Sequence, residues 1–284
     1  MANVQHLYQK LTFYRINYTT KPFFCTFVFC VYQTIIIVIT KFLSNIGNYF
    51  LFLRKVFSKP EKWRLLFKQC IIEADKLVIN SIPLIALISV FIGAVLVIQT
   101  ASNMTSPLLH KMYVGYMARE SLILEFSSTM VCLILAGKIG SNISSEIGTM
   151  RITEQIDAME MMGVNSAGYL VLPKIIATTL LNPLLTLMSF LVGLLGGYLL
   201  VSSTGIIMVK DFITGIRFCF QEYYILYTVI KTAVFSFIIS SISSFYGYYA
   251  IGGSLGVGKS STNAIVTSSA LILMTNLILT HIML

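Results

Sequence analysis

The stretch GGSLGVGKSS at 252–261 carries the most explicit chemical promise, because Gly253 to Ser260 fits G-x-x-x-x-G-K-[ST], the loop that cradles the phosphates of ATP. That chemistry needs a strand entering the loop and a helix leaving it, so that backbone N–H groups and a helix N-terminus converge on phosphate. A second candidate pair is Glu125, in SLILEFSSTM, and Lys231, in YTVIKTAVF, both ionisable and both inside apolar runs. A charge in such a run is costly and by default marks a substrate or ion path. Other chemistries lack their residues. His6, His110 and His281 are far apart, and Cys25, Cys30, Cys70, Cys132 and Cys219 make no C-x-x-C or His/Cys cluster, so the sequence offers no metal, cofactor or acid–base constellation. The cysteines read as small apolar side chains.

The elements that must position these residues belong to a membrane. Of 284 residues 56% are hydrophobic and only 11% charged, and the mean hydropathy is +0.83, which excludes an ordinary soluble domain and describes an all-α polytopic membrane protein. The net charge of +9 could suggest nucleic acid, but its distribution argues against it: basic residues from Lys10 to Lys76 crowd the first 79 positions against Glu61, Glu73 and Asp75. This is a positive-inside pattern, placing that flank in the cytoplasm beside anionic lipid.

Crossing a bilayer takes roughly 20 helical residues. Five runs qualify, at 81–102, 113–137, 168–202, 223–248 and 263–283. The third contains Pro173 and Pro183, so its start is expected to be interfacial or a kinked turn. Five crossings leave loops at 138–167 and 249–262 in the cytoplasm and the carboxyl terminus outside. The phosphate-loop pattern then falls between two membrane helices with no α/β core, its glycines turning the chain and Lys259 meeting phospholipid headgroups. Residues 41–57 place Phe42, Ile46, Tyr49, Phe50 and Leu53 at helical spacing beside Arg54 and Lys55, an interfacial amphipathic helix. Residues 23–40 are uncharged but 18 long, either an extra membrane helix or an extension along the membrane, so 1–42 forms a separate N-terminal extension and 43–284 the main domain.

The cytoplasmic loop SSEIGTMRITEQIDAMEMMGVN (144–165) reads as one helix capped by Ser144 or Ser145, with Glu146 in its first turn and Gly163 as its left-handed stop. Glu146, Thr149, Thr153, Asp157 and Glu160 form a polar stripe, and Gly148, Ile152, Gln155, Met159 and Met162 a mostly apolar one. A two-faced, Met-rich, acidic helix fits the groove of a soluble partner better than an anionic bilayer surface. Glu125 and Lys231 lie at depths differing by about four residues, roughly 6 Å, so they either lock helix register or line a cavity for a substrate headgroup. Arg119, Glu120 and Glu222 are expected nearer the outer surface as interfacial charges. Gly193-x-x-x-Gly197 and the stripe Ser236, Ser240, Ser244, Gly247 allow close helix approach and are compatible with a dimer.

The run AGKIGSNISSEIGTMRITEQIDAMEMMGV, followed by YLVLPKIIA (136–176), closely resembles the signature of the MlaE-type permease family, and GVGKSSTNAIV (256–266) is similar to that family's penultimate loop and last helix. The resemblance implies the membrane subunit of an ABC-type lipid transporter: an interfacial helix, five membrane helices and a coupling helix, two permease copies, two cytoplasmic ATPase subunits that bind ATP in place of this chain, and an MCE-domain lipid-binding partner. It implies phospholipid as substrate, maintenance of outer-membrane lipid asymmetry, and a bacterial inner membrane, a plastid envelope being the alternative. It further implies that Glu146, Arg151, Glu154, Gln155 and Asp157 contact the ATPase, and that Glu125 and Lys231 belong to the lipid cavity. Where the family has R-E-L-G-P, this chain has Leu124-Glu125-Phe126-Ser127-Ser128, without the arginine and the proline. Two other classes compete, a nucleotide-binding membrane enzyme using 253–260 and a membrane scaffold without transport.

Overall fold

The computed structural model describes residues 43–58, 63–104 and 110–284, apart from the side chain of Trp63. The expected extension at 1–42, with both readings of 23–40, lies outside them, as does Phe42. The described residues contain no strand and nine helices. These are α1 (43–56), α2 (Trp63–Leu77), α3 (Ile82–Asn103), α4 (Met112–Ile152), α5 (Gln155–Met161), α6 (Ser166–Thr204), α7 (Val209–Arg217), α8 (Tyr223–Tyr248) and α9 (Gly253–Met283). Among the described residues, five helical stretches are long and apolar enough to cross a membrane: Arg64–Asn103, which joins α2 to α3 through a 3-10 turn, and α4, α6, α8 and α9. The chain is an all-α multi-pass membrane protein.

Several boundaries differ from the sequence expectation. The second span does not stop at 137: α4 continues to Ile152 with π turns at Leu122–Met130 and Ala136–Gly140. Its glycines and serines serve packing in place of turns, since a Cβ on Gly140 would lie 2.9 Å from Ser243 Oγ and one on Gly247 2.8 Å from the Ser144 carbonyl. Ser144 therefore caps nothing, and Glu146 sits mid-helix rather than in a first turn. The helix expected at 144–163 is two pieces, because Glu154 adopts a left-handed conformation (φ 62°) that separates α4 from α5. The stop at Gly163 does occur, with φ 79° and the paired bonds Gly163 N–H to Glu160 O (3.0 Å) and Val164 N–H to Met159 O (3.1 Å) of a Schellman cap.

Pro173 and Pro183 neither delay nor end α6, which runs unbroken for 39 residues, roughly 58 Å at 1.5 Å per residue. A hydrocarbon core is about 30 Å thick, so α6 and α4 both project past it. Neighbouring helices and hydroxyl groups meet the backbone groups a proline frees. Gly253 to Ser260 is not a loop either. Gly252 (φ 104°) turns the chain and α9 starts at Gly253, so N–H groups that would face phosphate enter the helical ladder, beginning with Gly256 N–H to Gly252 O (3.3 Å).

The packing is tightest where glycines face each other. A Cβ on Gly93 of α3 would lie 1.8 Å from the Gly193 carbonyl oxygen of α6, and one on Gly196 would lie 2.3 Å from Val90 O, so both helices need glycine there to approach backbone to backbone. The serine stripe of α8 is buried as expected, Ser236, Ser240 and Ser244 all being fully enclosed. In α1 the buried side chains are Phe52 and Val56, outside the expected stripe, whereas Ile46 and Phe50 are exposed. A helix at an interface carries two apolar faces, one for protein and one for lipid, which a single stripe does not separate.

Candidate functional site

Glu125 lies in the first π turn of α4, Lys231 about a third of the way along α8, and their charged groups meet: Lys231 Nζ is 2.9 Å from Glu125 Oε1. Lys231 also donates to the Leu124 carbonyl (3.1 Å) and to Tyr227 Oη (3.0 Å). A third helix, α9, completes the cluster. Asn276 Nδ2 donates to Glu125 Oε2 (3.1 Å), and Thr280 Oγ1 lies 3.4 Å from Glu125 Oε1 and 3.0 Å from Tyr227 Oη. Thr129 Oγ1, one turn below Glu125, adds a bond to Oε2 (3.0 Å). Burying a carboxylate and an ammonium is tolerable only when paired and hydrogen-bonded in this way. The pair is asymmetric: the lysine side chain is fully buried and the glutamate 42% exposed, so a carboxylate edge faces the adjoining space. π turns recur at functional sites, and this one widens the helix where Glu125 projects.

Sequence reasoning found Glu125 and Lys231 by their charge and missed Tyr227, Thr129, Asn276 and Thr280. Each missed residue stands four positions from another member of the cluster on its own helix, which is the neighbour spacing of a helix face. That spacing, applied to a neutral amide in an apolar run, was the available signal.

At the basic end of the molecule, Lys174 of α6, 2% exposed, lies 2.6 Å from Glu73 Oε2 of α2 and 2.9 Å from Glu146 Oε2 of α4, and Lys76 of α2 reaches Glu146 Oε1 at 2.8 Å. The Glu146 contact is a hydrogen-bonded pair; the Glu73 oxygen has charge proximity without hydrogen-bond alignment. Glu146 is thereby turned inward among lysines. Arg151, Glu154, Gln155 and Asp157 cluster around the break between α4 and α5; the last three are exposed, and Arg151 is bound to Asp157 at 2.5 Å. Met161 and Met162 beside them are 89% and 72% exposed.

A further polar group closes around Glu160 of α5. Its Oε1 accepts from Lys55 Nζ of α1 (2.7 Å), Tyr248 Oη of α8 (2.7 Å) and Ser166 Oγ of α6 (2.9 Å). The hydrogen bonds from Lys55 and Tyr248 hold the Glu160 carboxyl at about 2, and Glu160 in turn holds the Lys55 ammonium above its usual range.

At the opposite end, Arg119 is not a surface charge. It is 1% exposed, and its guanidinium donates to the carbonyls of Ile216 and Phe218 (both 2.8 Å), satisfying the C-terminal end of α7. Glu120 pairs with it and the rings of Tyr116 and Phe220 flank it. Its burial departs from the interfacial charge expected of it. Lys259 is exposed near the start of α9, and among the described residues no group of three His, Cys, Asp or Glu side chains could hold a metal ion.

Residues 70–282 match the profile of the family described as Permease MlaE. A probable ABC transporter permease protein of Rickettsia bellii is 32% identical over 243 residues, covering 84% of this chain and 92% of its own length. A probable ABC transporter permease protein of Synechocystis is 36% identical over 170 residues, 60% of this chain and 65% of its own length. The chloroplastic protein trigalactosyldiacylglycerol 1 of Arabidopsis thaliana is 33% identical over 189 residues, 66% of this chain and 54% of its own length.

Proposed function

The chain belongs to the MlaE permease family of ABC transporters, and from that premise we propose that it moves phospholipid between a bacterial inner membrane and an MCE-domain partner, maintaining outer-membrane lipid asymmetry. As an ABC permease it works with an ATPase; in this reading hydrolysis resides wholly in that separate cytoplasmic subunit, and two permease copies assemble with two ATPases. The observation that carries the reading is the three-helix cluster around Glu125 and Lys231, a polar group set within candidate membrane spans with one carboxylate edge left open. The name of the Arabidopsis relative, which contains a diacylglycerol lipid, supports a lipid substrate. The match to the Rickettsia protein, covering 84% of this chain and 92% of that protein against 66% and 54% for the Arabidopsis protein, favours a bacterial membrane over a plastid envelope.

In the proposed cycle the lipid headgroup sits at the Glu125 edge. ATP-driven closure of the ATPase presses on Arg151, Glu154, Gln155 and Asp157, with Glu146 transmitting through its lysine pairs, and the helices repack so that the headgroup site opens and the lipid leaves. Such a switch works only if ATP and lipid each contact the two states differently. The test compares the parent chain with the Glu125→Gln, Lys231→Met double variant for bound phospholipid per purified chain and for the lipid barrier of cells carrying each. Lost lipid and a leaky barrier at unchanged protein level are expected. Parental values for both would favour a scaffold, since a neutral or apolar pair often replaces a buried ion pair at little cost.

A further inference from the structure

The short helix α5 is poorly placed to push on the membrane helices through its own chain. The left-handed residue Glu154 breaks the rod between α4 and α5, and a helix of seven residues has little stiffness of its own. What fixes α5 is its inward face. Ile156 is fully buried in the core, and Glu160 gathers three side chains from three other helices onto one carboxylate oxygen. Two of those donors also touch each other, Ser166 Oγ and Tyr248 Oη being 2.9 Å apart, and Lys55 Nζ lies 3.1 Å from Tyr248 Oη. The group is braced from behind: Phe52 of α1 packs on the Tyr248 ring (centroids 5.3 Å apart), and Asn165 Nδ2 donates to Lys55 O (3.0 Å) while its side-chain oxygen caps the start of α6.

Tyr248 is the last residue of α8, whose 26 residues contain no proline and run without interruption. Lys231 lies 17 residues up the same helix, roughly 25 Å along its axis. Because the Glu160 carboxyl is held at about 2 by Lys55 and Tyr248, it stays ionised across the physiological range and the link does not release on protonation.

We propose that Glu160 is a positioning residue that joins α5 to α8 through Tyr248, so that displacement of the exposed segment 153–162 is delivered along α8 to Lys231 and its pairing with Glu125. This rests on the transport reading for its purpose, but the joint itself is a mechanical claim with its own readout. Tyr248→Phe removes one hydroxyl and keeps the ring packing on Phe52; Glu160→Gln keeps the shape and removes the charge.

The experiment uses the full complex with its ATPase and two assays. In the first, nitroxide labels at positions 161 and 249, both exposed in the parent, report the distance between α5 and the end of α8 with and without ATP. The expected result is one narrow distance in both states for the parent and a broadened, state-dependent one in Tyr248→Phe and Glu160→Gln, with narrowing restored in the charge exchange Lys55→Glu, Glu160→Lys. In the second, lipid moved per ATP hydrolysed is expected to fall at least fivefold in the same variants while hydrolysis continues. Narrow distances in both variants would overturn the joint, whatever the lipid assay gives. A parent complex with the expected distances that hydrolyses ATP and moves no lipid would instead overturn the transport reading and leave the joint standing.

Discussion

Replacing Lys174 with methionine removes the cation that sits between Glu73 and Glu146 while keeping most of the side-chain volume. Lys174 is 2% exposed and the two carboxylates 17% and 21%, so water reaches the acids poorly. Glu146 keeps Lys76 at 2.8 Å, whereas Glu73 loses its only ion-pair partner among the described residues. Removing one member of a buried pair typically costs about 3–5 kcal/mol, and because only one of the two acids is orphaned the expected loss is about 3 kcal/mol, at the low end of that range. The assay is equilibrium denaturation of the purified chain in mild detergent. Adding Glu73→Gln to Lys174→Met should recover part of the loss, giving a coupling energy of about 1 kcal/mol or more in the double-mutant cycle. A Lys174→Met chain within about 0.5 kcal/mol of the parent, the range of ordinary surface changes, would refute the claim that this network ties α2, α4 and α6 together.

Other expectations follow from single sites. Gly93→Ala places a Cβ 1.8 Å from a backbone oxygen of α6 and should cost about 3 kcal/mol, read in the same denaturation; parental stability would mean the helices do not approach so closely. Gly258→Ala has nothing within 4 Å of the added carbon and lies in a helix, so it should leave stability unchanged or raise it by up to about 1 kcal/mol. That substitution also destroys the phosphate-loop pattern, so nucleotide binding by the purified parent that disappears in Gly258→Ala would reinstate the ATP reading. For Glu160, a carboxyl held at about 2 against an ordinary 4.5 contributes stability that is complete above 4.5 and lost as pH falls toward 2. The stability difference between the parent and Glu160→Gln should therefore be constant from pH 5 to pH 9 and shrink in acid; it stays below about 1 kcal/mol because both partners are more than a third exposed. A difference that grows in acid would contradict the ion pair. Lysine at both Glu154 and Asp157 should abolish stimulation of the ATPase without unfolding the permease, and unchanged stimulation would remove these residues from the contact.

Where the sequence marked an element by an unbroken apolar run, the structure agrees closely: α8 runs Tyr223–Tyr248 and α3 starts within a residue of its expected start. The disagreements share a cause. The sequence ends a span at 137 and starts a separate helix at Ser144 or Ser145, with a loop between, yet in α4 the small residues of AGKIGSNISSEIG let α8 approach, Gly140 against Ser243 and Ser144 against Gly247. Glycine at 253, 256 and 258 likewise reads as a loop until the helix is seen, with Gly256 pressed against Ile251 O. In a membrane protein small residues are packing devices as often as breakers. Charge inside an apolar run made Glu125 and Lys231 legible, but Arg119 and Lys174 stand near helix ends, where sequence cannot tell a solvated charge from one enclosed by neighbouring helices. Their burial is decided by tertiary packing.

The central claim, that this chain is the membrane subunit of an ATP-driven lipid transporter, meets its most direct test in purification from native membrane in mild detergent, with mass spectrometry of every protein and lipid that accompanies it. The account predicts an ABC ATPase, an MCE-domain protein and bound phospholipid. A chain recovered alone, free of lipid and binding ATP itself, would contradict it.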